Sequence, residues 1–173
     1  MESKSFGNNF KQVSTGIVAL LILVISFSTT AYAEESMVTH QLELYLILGV
    51  DDDNILWVDR MPSTEPAQEQ NLELTLLVQW PYRSIWQGEC PSSQTYDFFI
   101  EREGNIIWQW SADKVFKPVI TSVNIPGGDP IEFATVSWSF SPEEIEEGEY
   151  SAQALFIATN QTVSQEFEIM FAY

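Results

Sequence analysis

From Leu72 to Trp80 every second residue is a large apolar one, with Leu72, Leu74, Leu76, Val78 and Trp80 on one side and Asn71, Glu73, Thr75 and Gln79 on the other. Successive side chains of a strand point to opposite faces, so this alternation describes a strand with one face in a core and one in water. A helix needs apolar residues three and four apart and would scatter these around its circumference. The same period recurs. Leu42, Leu44, Leu46 and Leu48 share a face opposite Tyr45 and Ile47. Tyr150, Ala152, Ala154 and Phe156 do so within 149–159, and Val163, Phe167, Ile169, Phe171 and Tyr173 within 163–173.

Between these runs, Tyr96, Phe98 and Ile100 alternate with Asp97, Phe99 and Glu101, and Ile106, Trp108 and Trp110 alternate with Ile107, Gln109 and Ser111. The turn residues Glu103, Gly104 and Asn105 lie between them, which reads as a β-hairpin. Further strands are expected at 119–125 and 131–140, with a short apolar piece at 55–58. The 131–140 strand changes phase from Ile131 and Phe133 to Val136, Trp138 and Phe140, which predicts a bulge near Ala134. Ser141, Pro142 and Glu144 are placed as an N-cap, a first helical residue and a capping carboxylate, with Gly148 at C′, so one helical turn is expected there. Residues 59–70 and the proline-bounded stretch Pro81–Pro91 read as loops. About eight short strands with turn signals roughly every ten residues predict an all-β protein, an immunoglobulin-like antiparallel β-sandwich.

The first 33 residues belong to a different problem. Lys4 and Lys11 precede the uncharged apolar run Gly16–Phe27, and Ala31-Tyr32-Ala33 follows, the pattern of an export signal peptide cleaved after Ala33. The apolar run is short for the ~20 residues that a spanning helix needs. The expectation is a signal peptide at 1–33, one β-sandwich domain at 34–173, export to the periplasm or the extracellular space, and no membrane association after cleavage. A net charge of −18 repels phosphate backbones and excludes nucleic acid as a partner class. Cys90 is the only cysteine, so no internal disulfide forms and packing alone holds the fold. Burial is expected for its thiol.

The order of residues from Ser92 to Phe116 resembles the signature of the BsuPI-like proteinase inhibitors. Ser92, Gln94, Tyr96 and Asp97 fall on that family's first hairpin strand, and Trp108, Trp110 and Ser111 on its W-x-W-S strand. Phe116 follows at the family's spacing. The similarity runs from Asn71 to Ile169 and includes Trp138, Gly148-Glu149-Tyr150 and Phe167-Glu168-Ile169. Ser93 stands where the family has glycine, and the Pro81–Pro91 connection is longer. The family's namesake works inside the cell, whereas this chain carries the marks of export. The resemblance implies a sandwich that binds a protein partner, a serine protease inhibited stoichiometrically and without cofactor. The alternative is a non-inhibitory envelope or extracellular module for adhesion or assembly.

Little else suggests chemistry. His40 is the only histidine and no nucleophile motif accompanies it, so no catalytic residue is assigned. Asp51, Asp52 and Asp53 offer oxygens to Ca²⁺ but lack the alternating ligands and distal Glu of an EF-hand, and a solvated turn is the expectation. Trp108 and Trp110 are expected in the core. Arg83 and Trp86, in the Pro81–Pro91 loop, are the partner-contact candidates, with Arg83 suited to a trypsin-like pocket and Trp86 as an exposed anchor.

Overall fold

The computed structural model describes residues 41–60 and 69–172. They form strands and no helix: β1 (Glu43–Leu48), β2 (Ile55–Asp59), β3 (Gln70–Gln79), β4 (Trp86–Cys90), β5 (Tyr96–Arg102), β6 (Asn105–Gln109), β7 (Thr121–Ile125), β8 (Ile131–Phe140), β9 (Gly148–Phe156) and β10 (Gln161–Ala172). One sheet has the order β1-β3-β8, the second β2-β10-β9-β5-β6, and β4 with β7 makes a two-stranded ribbon. The expected signal peptide with Ala31 and Ala33, together with His40 and Tyr173, lies outside the described residues.

The alternation read from the sequence becomes the core. Leu72, Leu74, Leu76 and Val78 of β3 are wholly buried, as are Ala152, Ala154 and Phe156 of β9. Each large apolar side chain so removed from water contributes about 2 kcal/mol. The two sheets meet through β8 and β9: the Phe133 ring lies 5.0 Å from Phe156 and Trp138 lies 6.4 Å from Tyr150. Ala152 and Ala154 leave room for these rings, the large-against-small fit of a close-packed interior. The bulge expected near Ala134 is present. Leu76 pairs with Ala134 and Leu77 with Glu132, which leaves Phe133 as the extra residue and turns it inward.

Four expectations are corrected. The region after Ser141 holds a single turn and no helix. Ser141 carbonyl accepts from Glu144 N–H at 2.9 Å, but the chain then extends so that Ile145 enters the core. One turn cannot offset the cost of helix nucleation, and Gly148 begins β9 at φ 129 instead of closing a helix. Tyr150 locks this corner by donating its hydroxyl to Glu146 carbonyl at 2.7 Å, the geometry of a tyrosine corner.

The second correction concerns strand direction. β2 runs parallel to β10, with Ile55 opposite Glu168 and Asp59 opposite Ala172, so this sheet is mixed. Third, Trp86–Cys90 is a strand, pairing antiparallel with β7 from Trp86↔Ile125 to Cys90↔Thr121. The loop expected over Pro81–Pro91 shrinks to its first half. Fourth, β7 starts at Thr121 and not at Val119, because Val119 N–H bonds Lys117 carbonyl across Pro118 at 2.9 Å and makes a γ-turn.

Candidate functional site

The hairpin β5–β6 is joined by Glu103 and Gly104, both at positive φ (51° and 76°), the two-residue turn whose twist suits paired strands. Its register slips between Ile100 and Glu101, so Ile107 bulges out and Trp108 faces Ile100. Alternation alone places Asp97 on the polar face. It is instead 3% exposed, the sole charged residue in the described core. The covering comes from the far end of β6. Gln109 amide donates to Asp97 Oδ2 at 2.7 Å, Ser111 hydroxyl to Oδ2 at 2.5 Å, and the backbone N–H groups of Ser111 and Phe98 to Oδ1 at 3.1 and 2.9 Å. A buried carboxylate is tolerable only when its lone pairs are used in this way. The motif residues Asp97 and Ser111 are thus one structural unit that fixes where β6 ends.

The chain beyond β6 is held by that unit. Ala112 N–H bonds Gln109 carbonyl at 3.2 Å and Lys114 N–H bonds Ser111 carbonyl at 3.0 Å. Trp110, half-buried, lies 4.5 Å from the Tyr96 ring and 5.9 Å from Phe116. Lys114 folds back, its ammonium donating to Trp110 carbonyl at 2.6 Å while lying 4.6 Å from the Trp110 ring centre. It also pairs with Asp113 at 2.9 Å, and this hydrogen bond, with the Lys114 charge, holds the Asp113 carboxyl below its ordinary range. Lys117 is fastened from both sides: its N–H donates to Ser93 Oγ at 2.9 Å and its carbonyl accepts from Ser93 N–H at 2.9 Å. Ser93, where the family pattern has glycine, therefore supplies a hydroxyl clamp.

Between these fastenings the loop from Ala112 to Ile120 projects. Val115 is 98% exposed and Ile120 is 72% exposed, with Val119 beside them. Lys114 and Lys117 are the only lysines beyond Lys11, so positive charge gathers here in a chain of net charge −18. Motif spacing singles out Phe116 in this loop and strand periodicity its end at Val119 and Ile120, but neither points to Val115 or to the lysines. The loop's signal in the sequence is the pair of lysines among apolar residues that no strand partner needs.

The Arg83 loop lies where β3 passes into β4. Arg83 and Ile85 are both exposed. Trp80 indole donates to Ser84 Oγ at 3.1 Å and its ring lies 4.6 Å from Tyr82. Gly127 packs directly beneath: a Cβ there would sit 1.7 Å from Tyr82 carbonyl oxygen. Trp86, expected to be exposed, is half-buried in β4. Its indole covers Gly88 and lies 5.8 Å from Phe156, so it braces the ribbon against the core. The exposed tryptophan is Trp57. Trp108 and Trp110, expected in the core, are half-buried at its margin, with Trp108 6.5 Å from Trp138.

The acidic turn serves the fold. Asp51 Oδ1 accepts from the N–H groups of Ile55 and Asp53 at 2.7 and 3.1 Å, and Oδ2 from the Trp57 indole at 3.0 Å. The Ile55 bond, with those of Trp57 and Asp53, lowers the Asp51 carboxyl pKa. Asp52 and Asp53 point into water, and among the described residues no group of three or more His, Cys, Asp or Glu is placed to hold a metal ion. Cys90 is wholly buried in β4, and burial pushes its thiol pKa up.

The model of one protein family, BsuPI, described as intracellular proteinase inhibitor, matches residues 61–161, more than half of the chain. That span contains the whole hairpin, both exposed loops and the β4–β7 ribbon. No curated protein matches the chain.

Proposed function

The chain belongs to the BsuPI family, and from that membership we propose that it is an exported inhibitor of a serine protease, acting as a one-to-one protein ligand without cofactor. The family match carries this reading, since its description names proteinase inhibition. The geometry supports it in a specific way. An inhibitor must enter a cleft built for extended chains yet resist being cut, which favours an exposed segment whose flanks are already ordered. The Ala112–Ile120 loop is such a segment, fixed by Trp110, Ser111 and Ser93. The basic, apolar and A-x-A pattern of residues 1–33 supports export, and a fold held by packing without a disulfide suits either side of a membrane.

The test is a titration of the purified chain against active-site-titrated serine proteases of the subtilisin, trypsin and elastase classes. The expected result is loss of activity that reaches its end point at one chain per enzyme. Unchanged activity with all three, or rapid digestion of the chain, would favour the adhesion or assembly module instead. Mass spectrometry of the exported protein is expected to find an N-terminus just after Ala33.

A further inference from the structure

We propose that Val115 is the residue that occupies the specificity pocket of the protease, and that this pocket is small and apolar; the proposal rests on the inhibitor reading. Four observations separate Val115 from its neighbours. Its side chain is the most exposed of the large hydrophobics among the described residues, at 98%. The flanking side chains are committed inward: Lys114 to the Trp110 carbonyl and ring, Phe116 against Trp110. Lys117, the obvious trypsin-like alternative, has both backbone polar groups taken by Ser93 and cannot lend them to a cleft. Among the described residues the N–H and carbonyl of Val115 have no hydrogen-bond partner, so they remain free to pair with an enzyme strand as an added strand does.

The chemistry of the pocket follows from the side chain. A β-branched, three-carbon group fills a shallow apolar pocket, and leaves most of a deep slot or an acidic trypsin-like pocket empty. The 112–120 loop carries Lys114 and Lys117 against Asp113, a net single positive charge, so an acidic rim complements it. In a chain this negative elsewhere, that local charge orients the approach and selects against enzymes with basic rims. The fastenings on either side of Val115 mean that little order is gained on binding, which keeps affinity high for a short contact.

The experiment compares wild type, V115D, V115R and R83A against the same three protease classes, with circular dichroism on each variant. Because the Val115 side chain is almost wholly exposed, every Val115 variant is expected to keep the wild-type spectrum and melting curve. V115D is expected to weaken inhibition of an elastase-class enzyme by about a hundredfold or more, as a charge enters an apolar pocket. V115R is expected to transfer inhibition toward the trypsin class, a readout that a merely structural role would not move. Inhibition by wild type that survives V115D unchanged, or that is abolished only by R83A, overturns this assignment while leaving the inhibitor reading intact. Wild type inactive against all three enzymes overturns both.

Discussion

Two loops leave this sandwich with exposed apolar and basic residues, and they are held by opposite means. The 81–85 loop is shaped by an absence. Gly127 lets the backbone of Tyr82 and Ser84 pass within contact distance, and any side chain there would collide with it. The Ala112–Ile120 loop is shaped by presence, namely a buried carboxylate that accepts from Ser111, the carbonyl and ring of Trp110 that hold Lys114, and a serine hydroxyl that accepts from Lys117. The difference governs what each can do. A loop wedged by backbone contact is stiff but offers only its own tip, whereas a loop hung on side chains keeps an extended stretch of backbone free while its ends stay fixed.

Asp97→Ala should have the largest effect and strike only the second loop. It removes the acceptor of the Ser111 N–H and hydroxyl and of the Phe98 N–H, and one of the two acceptors of the Gln109 amide, and the expected loss is about 3 kcal/mol of unfolding free energy by urea titration. Hydrogen exchange should speed up at residues 110–117 and not at 81–85; equal acceleration in both loops would mean that they are not separately held. Gly127→Ala is the mirror experiment. The forced displacement of Tyr82 carbonyl is expected to cost about 2 kcal/mol, with backbone shifts confined to 80–86 and 126–129 by nuclear magnetic resonance.

Ser93→Gly, which restores the residue of the family pattern, removes the hydroxyl clamp on Lys117. A cost of about 1 kcal/mol is expected, with protease affinity falling more than stability because the freed tip must be ordered again on binding. Stability and affinity falling in equal measure would show that the clamp acts on folding alone. The smallest effect comes from acid. The Asp113 carboxyl titrates below its ordinary value, so its bond to Lys114 contributes fully above that value and is lost as pH falls through the lowered one. Below about pH 4 the Lys114 and Trp110 resonances should therefore move while those of 81–85 stay still. Movement of Lys114 near neutral pH would assign the change to another group.

Much of the framework is legible in the sequence. Leu72 to Val78 and Tyr150 to Phe156 announce their buried faces because strand periodicity is written in neighbouring residues. The phase change at Phe133 locates a bulge for the same reason. β4 escapes such a reading although Trp86, Gly88 and Cys90 alternate with Gln87 and Glu89. Bounding prolines and a glycine outweigh an alternation of only five residues, and its partner β7 lies more than thirty residues away. Arg83 is legible as a loop residue, but the near-complete exposure of Val115 is not, since exposure is a property of what fails to pack nearby.

Taken alone, the sequence determined that the chain is all-β, which faces of most strands are greasy, and which family it belongs to. Those are local or pattern properties, carried by spacing along the chain. Tertiary structure decided that β2 runs parallel to β10, that Asp97 is buried and that Trp86 braces the core. It also decided that Val115 alone stands clear between fixed neighbours. Each of these depends on which distant segment arrives to supply a hydrogen bond or a covering side chain, and burial is decided by that arrival.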